Sequence, residues 1–535
     1  MKKIIFVLLF VLPFLAQSQP YIVEWIQRFN SPPGFNEPPF EQPNSMMVDT
    51  AGNAYITGFV VRDTAILSYN TDILTVKYNK EGNLKWYAIY DSPYQMDDEG
   101  VKVVADDSGN VYVTGYSFGT GTEKDIITIK YDPYGLLKWV QRYNGAANDD
   151  DEGKSVGVDA NGNVYVGGYY SPTVNNHDFI IVKYDLNGNF IWQRIHASTA
   201  GPDEARDLVV GPNNFIYATG TGFFSNHADY LTAKYDPAGN MIWDDYNDGG
   251  SNQWDFAEVM VVDSNSNCFI SGSTSIAGQN KMTTVKYDAA GNEDWSINYT
   301  GYQGNTPYPY DIATDNNGKA FVCGNDAGDA TFKEYLTVTY NSTGTQQWAS
   351  VLDSTGNDDN AYAIATDING DVYCTGKFHI NDENMVTIKY SSTGVRKWTY
   401  VYSFAGGADC GYDIHVNNNL EVYITGKSNS DDTIAGVDMV TIKLSQPQTK
   451  PSVGELENDF YMNVFPNPSS GKFMVESEKS IEKFTLYNAL GEIVFTIQPR
   501  STFFRVNAEH FPPGVYYYQA QSDERIRSGK VVVER

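Results

Sequence analysis

The sequence predicts an all-β protein: an eight-bladed β-propeller closed by pairing of its N-terminal strand with the last blade, followed by a small C-terminal β-sandwich. Three observations carry this. An aromatic followed three residues later by Gly recurs at Tyr55, Tyr112, Tyr165, Tyr217, Phe269, Phe321, Tyr373 and Tyr423, at spacings of 57, 53, 52, 52, 52, 52 and 50. Repeats of this length are the mark of stacked or ring-forming units. A Trp recurs at 25, 86, 139, 192, 243, 295, 348 and 398, displaced by one unit: Trp25 precedes the first complete repeat, and the last stops at Leu444 without one. A ring explains the displacement, because the strand around Trp25 then completes the blade begun near Gly411 and leaves no open sheet edge.

Each repeat supplies its own strands. Residues 151–195 hold four short apolar runs, Val156–Val158, Val164–Val166, Phe179–Tyr184 and Phe190–Arg194. They are separated by Asn161-Gly162-Asn163, the polar loop Ser171–His177 and Asn187-Gly188-Asn189. Val, Ile, Tyr, Phe and Trp suit a pleated, half-buried surface, and Asn-Gly reverses the chain tightly, so one copy is a four-stranded antiparallel meander. The Gly ending the second strand is expected to permit a bulge or a close approach between blades, and the Lys of the Lys-Tyr pair ending most third strands to lay its stem on a neighbouring ring.

The two ends differ from the repeats. Residues 1–19 have Lys2 and Lys3, the apolar run Ile4–Leu15 and then Ala16-Gln17-Ser18-Gln19, which reads as a cleaved signal peptide. A twelve-residue run is too short to span a bilayer, and no later stretch approaches that length. Residues 20–446 are assigned to the propeller and 447–458 to a polar linker. Residues 459–535 form a second unit of short strands divided by Gly, Pro and Asn turns, a small sandwich. The net charge of −29 argues against polyanion partners, nucleic acid above all. Cys268, Cys323, Cys374 and Cys410 are expected as buried free thiols, the first three of them within second strands.

The pattern Asp-x-x-Gly-Asn-x-Tyr-x-Thr-Gly, then Lys-Tyr, then Gly-Asn-x-x-Trp, resembles the SBBP-type β-propeller repeat of exported bacterial proteins. That family's name implies seven blades, and the count here is eight. Phe465-Pro466-Asn467-Pro468, Gly471, Leu486-Tyr487-Asn488 with Gly491, and Pro513-Gly514-Val515-Tyr516 resemble the C-terminal sorting domain of type IX secretion substrates. This resemblance implies export across the outer membrane of a Bacteroidetes-like bacterium, to the surface or medium, with the secretion machinery as partner of residues 459–535.

Strand order puts the second-to-third loops and the blade-to-blade connections on one face, where they are long and variable, the expected place for function. Fourteen residues before each second-strand aromatic stands an acid: Asp98, Asp151, Asp203, Asp255, Asp359 and Asp409, with Glu41 in the first repeat and Pro307 breaking the set. A second group, Asp72, Asp125, Asp178, Asp229 and Asp438, ends the second-to-third loops. Such a ring of carboxylates suits Ca²⁺; the alternative, favoured because the acids recur with the repeat, is that each bonds its own turn. Residues that break the repeat are the better ligand-binding candidates: Trp254, Tyr302, Tyr308, Tyr310, Phe223 and Phe224, aromatic faces suited to stacking on carbohydrate or peptide, or alternatively core caps. Of six histidines, His177 and His227 occupy equivalent loops, and His415 stands beside Asp413 on an innermost strand. No nucleophile elbow, zinc-binding His-Glu-x-x-His or phosphate loop occurs, so no catalytic residue and no certain cofactor is assigned. The expectation is an exported, non-enzymatic binding or adhesion module for an extracellular glycan or protein. The alternative is a polysaccharide lyase or hydrolase that uses the acidic face or His177 and His227.

Overall fold

The computed structural model describes residues 21–534 apart from short stretches, the longest being 32–39, 430–435 and 447–461. The expected signal peptide and linker lie outside the described residues. The chain divides into two compact units, Val23–Ser445 and a second one holding the residues from Gln446 on.

In the first unit the described residues form eight four-stranded antiparallel sheets, each in simple meander order. Blade three is representative: Glu152–Val158, Val164–Thr173, Asn176–Tyr184 and Phe190–His196. The eighth sheet is completed by Ile22–Phe29, which pairs with Val437–Ser445. First strands of successive blades lie beside one another all the way round, the eighth against the first, so they enclose a central channel. Blades are numbered here from Glu41–Val48, the first strand of blade one.

The core lies between blades. Tyr165, Phe179, Ile181 and Trp192 of blade three pack on Ala205, Leu208, Ile216 and Leu231 of blade four. Phe29, Tyr423 and Met439 of blade eight pack on Met46, Ile56 and Leu74 of blade one. Removing each of the large aliphatic and Phe side chains among these from water contributes about 1.5–3 kcal/mol. The repeated Trp is a clasp between blades: Trp25 Nε1 donates to Lys80 O at 3.0 Å and Trp86 Nε1 to Pro133 O at 3.0 Å, each in the next blade's third-to-fourth turn. The turn glycine lies under the indole. Gly82 has φ +81°, and a Cβ there would fall 2.7 Å from the Trp25 ring. The repeated Lys crosses the same interface; Lys77 Nζ stands 4.8 Å from the Tyr55 ring centroid and donates to Pro133 O at 3.2 Å. The four cysteines are buried and free.

The second unit holds a three-stranded sheet (Met462–Phe465, Lys472–Ile481, Ser501–Asn507) and a four-stranded one in the order Ile493–Ile497, Lys483–Tyr487, Gly514–Ser522, Arg525–Val533. Val464, Phe473 and Val475 of one share a core with Phe484, Leu486 and Val531 of the other, which makes it a sandwich.

Candidate functional site: the mouth of the channel

A repeated backbone device builds this site. Each first strand shifts register by one residue against the second strand, for instance between Gly153 and Ser155. The landmark glycine makes room for it: a Cβ on Gly168 would lie 2.0 Å from Glu152 O, and one on Gly58 1.9 Å from Gln42 O. The close approach is thus within a blade, against its own first strand. A bulge re-aims side chains, and here the extra residue stands at the channel mouth in every blade. These residues lie eleven positions before the second-strand aromatic: Asn44, Val101, Lys154, Arg206, Glu258, Tyr310, Tyr362 and Tyr412.

Blades six to eight contribute a continuous arc of tyrosines. Tyr308 and Tyr310 have ring centroids 5.4 Å apart, Tyr310 and Tyr362 5.0 Å, and Tyr362 and Tyr412 5.8 Å. All four are half-buried. On the blade-five side, Trp254 stacks on Phe256 at 6.2 Å and meets Phe223 edge-on at 5.3 Å. Trp254 is 51% exposed, so its free face is available. Phe224 pairs with Tyr246 instead, at 5.7 Å.

The opposite side is charged. Glu152 accepts from both Lys124 and Lys154. Glu204 takes His177 Nδ1 at 3.0 Å and Arg206 Nη2 at 2.8 Å. Burial pushes Glu204 up, but the His177 hydrogen bond and Arg206 outweigh it and hold it below the usual carboxylate range; the same bond raises His177. Glu258 is raised by burial and shares a hydrogen bond with the Tyr308 hydroxyl, and Tyr116 donates to Glu99 at 2.8 Å.

One layer deeper, Lys102 faces Asp207, Asp311 and Asp413, from blades two, four, six and eight, and their charges lift its pKa against the cost of burial. Each aspartate also clasps two blades. Asp207 accepts from Met260 N at 3.0 Å, Asp311 from Ile364 N at 2.8 Å and Asp413 from Met46 N at 2.7 Å. Burial pushes Asp311 up to about 7 and His415, on the same strand as Asp413, down to about 4.

The predicted residues separate clearly in space. Tyr308 and Tyr310 stand in the first strand of blade six, Thr306–Thr314, rather than in a connection, and are central to the mouth. Phe223 and Phe224 end a strand, Ile216–Phe224, rather than lying in a loop. Trp254 and Phe223 reach the rim, Phe224 turns to Tyr246, and Tyr302 lies outside the described residues. The acids at the fourteenth position point away from the mouth, into the joints between strands, and accept backbone N–H groups. Asp151 takes Gly145 and Ser171; Asp203 takes Ser198 and Phe223. Asp255 takes Ser275 at 2.9 Å, Asp359 takes His379 at 2.9 Å, Asp409 takes Phe404 at 2.7 Å and Asp98 takes Ser92 at 2.6 Å. Asp125 and Asp438 pair with Arg142 and Arg28 at 2.6 and 2.7 Å. His227 bonds Asp229 at 2.7 Å, so it and His177 serve different acids. Among the described residues, Asp72, Asp91 and Asp98 are the carboxylates whose ligand atoms come within 4.8 Å of one another.

Sequence reasoning missed Tyr362, Tyr412, Phe256, Arg206 and the glutamates of the mouth. Their signal was a fixed offset, eleven or thirteen residues before the aromatic. The fourteenth position differs from the thirteenth by one residue, and in a strand that step reverses the face.

Residues 463–534 match a secretion system C-terminal sorting domain, and residues 138–169 match the SBBP β-propeller repeat. The chain is a β-propeller protein exported by type IX secretion. Such export takes this propeller to the cell surface or the medium. No described helix is long and apolar enough to cross a membrane. No curated protein matches the chain. Solved structures it is similar to include PorZ, a surface component of the type IX secretion system of Porphyromonas gingivalis (12% identity, 92% of this chain and 81% of that one, TM-score 0.33). Others are Sqt1 of Chaetomium thermophilum (8%, 76% and 96%, TM-score 0.46) and the polysaccharide lyase Uly1 (8%, 75% and 89%, TM-score 0.41).

Proposed function

We propose that this exported propeller is a non-enzymatic binding or adhesion module whose channel mouth holds an extracellular glycan. The supporting observation is the tyrosine arc of blades six to eight, with Trp254 and Phe223 at the rim. Half-buried aromatic rings flanked by amides and charges offer apolar faces to sugar rings and hydrogen-bond partners to their hydroxyls. Residues 1–19 would be removed during export, residues 20–446 would form the binding unit, and residues 459–535 would engage the secretion machinery. A panel of polysaccharides tested by affinity electrophoresis checks the reading: Tyr362→Ala and Trp254→Ala should each weaken binding about tenfold or more, the scale of a lost stacking contact of ~1.4 kcal/mol. Unchanged retardation in both variants overturns it.

A second reading, a polysaccharide lyase or hydrolase, is favoured by one feature. His177 is oriented by Glu204 and stacked on Tyr169 at 4.2 Å, the arrangement a general base needs. Appearance of unsaturated or reducing ends, abolished by His177→Ala, would establish it.

A further inference from the structure

The mouth is asymmetric in charge, and the asymmetry bears on which glycan it takes; this rests on the glycan-binding reading above. Three rings of side chains surround it: the positions thirteen and eleven before each second-strand aromatic, and the position four after it, paired across strands as Asn360 is with Lys377 and Cys410 with Lys427. Blades two to five place Glu99, Glu152, Glu204 and Glu258 on these rings. Blades six, seven, eight and one place no Asp or Glu on any of their twelve positions, three in each of four blades, although the chain has 66 acids against 37 Lys and Arg. Four of the twelve are the tyrosines of the arc. Four more are the amides Gln42, Asn44, Asn325 and Asn360, and two are Lys377 and Lys427, leaving Phe59 and Cys410. Some of these donors are spent within the protein, Asn44 on Glu99 and Gly100 O and Asn325 on Tyr310 Oη and Asn360 Oδ1; the remaining donors of the crescent suit an anion.

The two lysines differ. Lys377 is bonded to Glu383 at 2.6 Å, on the third strand of its own blade. Lys427 forms no ion pair with an acidic side chain among the described residues, and its ammonium stands 5.9 Å from the Tyr412 ring centroid. A lysine over the end of an aromatic arc presents charge where a stacked sugar carries its substituents. We propose that the crescent, with Lys427 as its charged anchor, receives the carboxylate or sulfate of an acidic polysaccharide whose ring faces lie on Tyr310, Tyr362 and Tyr412. The net charge of −29 opposes any polyanion at long range. Salt screens that repulsion beyond roughly 8 Å at physiological ionic strength, so selection acts through contact at the crescent.

The test uses the full-length protein and two matched pairs: polygalacturonate against its carboxyl-reduced form, and dextran sulfate against dextran. Titration calorimetry at physiological ionic strength should show one acidic member bound at least about tenfold more tightly than its neutral twin. The preferred pair separates carboxylate from sulfate. Lys427→Ala should erase the preference, Lys427→Arg should keep it, and Tyr362→Ala should weaken both members. Equal affinity within both pairs, or a preference that survives Lys427→Ala, overturns the inference and leaves glycan binding standing. Failure of every member to bind brings down the glycan reading and this inference with it.

Discussion

At the scale of single residues, each repeated side chain has a measurable task. Gly168→Ala forces a Cβ to within 2.0 Å of Glu152 O, so the bulge cannot persist as it is. The expected cost is about 1–3 kcal/mol, as for overpacking generally, read from denaturant midpoints. The repeated Trp residues are not equally buried. Trp398 is 2% exposed, so Trp398→Ala should cost the full ~3–5 kcal/mol of a large aromatic truncation, and Trp25→Ala, whose ring is half-exposed, about half of that. Lys102→Met removes the one ammonium that faces Asp207, Asp311 and Asp413 among the described residues. Without it Asp311 holds its proton more tightly still, so the folded state is penalised where that carboxyl must ionise. The loss of melting temperature should therefore be larger at pH 8 than at pH 5.5. An equal loss at both would mean that the ammonium acts by packing alone.

At the scale of elements, the eighth blade decides whether the ring closes. Ile22–Phe29 is the only strand of that sheet that comes from the other end of the propeller, and Arg28 fastens it. Its guanidinium bonds Asp438 at 2.7 Å, Tyr402 at 2.9 Å and Ser428 at 2.8 Å, and lies 3.9 Å from the Phe404 ring centroid. Arg28→Ala leaves Asp438, 3% exposed, without its cation. A cost near ~3 kcal/mol follows, the low end for breaking a buried pair. Deleting residues 20–30 goes further and bares the edge of Val437–Ser445, an invitation to edge-to-edge association. Light scattering should report aggregation of the deletion protein at concentrations where the parent stays dispersed.

At the scale of the whole molecule, the buried acids set a pH profile. Burial pushes Glu41, Asp151 and Asp255 up to about 7 and Asp409 up to about 6. Unfolded, such groups titrate near 4. Between these values the folded chain keeps protons that the unfolded chain has lost, so stability is fully present below about pH 4 and is lost as pH rises through 6 to 7. Glu152 and Glu204 are held below their ordinary values and lose stability only at lower pH. Calorimetry should thus show the melting temperature falling by several degrees from pH 5 to pH 7.5. EDTA should leave it unchanged, because the acids at the fourteenth position are bonded to backbone amides. Loss of stability in EDTA, restored by Ca²⁺ and not Mg²⁺, would reassign them. Truncation after residue 446 should leave a soluble propeller when made in the cytoplasm and block its release in the native host, since each unit has its own core.

What the sequence determined by itself is what repeats. Period, strand order, the displaced Trp and the Asn-Gly turns depend on local propensity and on a pattern copied eight times, so the sheets and their closure through Trp25 were legible, as was the second unit with its Phe465-Pro466-Asn467-Pro468 and Pro513-Gly514-Val515-Tyr516 signals. The aromatics Trp254, Phe223, Tyr308 and Tyr310 could be singled out as departures from the repeat, but their placement at the mouth and rim came from the fold. Tyr362 and Tyr412 could not be singled out. In one copy each is a single tyrosine in a chain that has 39 of them, and only the packing of successive blades brings residues fifty positions apart to within 6 Å. Nor did spacing alone say that Asp151 faces a joint while Glu152 faces the channel. Side chains in a strand alternate, and the bulge beside Gly168 shifts that alternation by one; which face opens on solvent is decided by the neighbouring blades, whose packing covers one side of the strand and leaves the other on the channel.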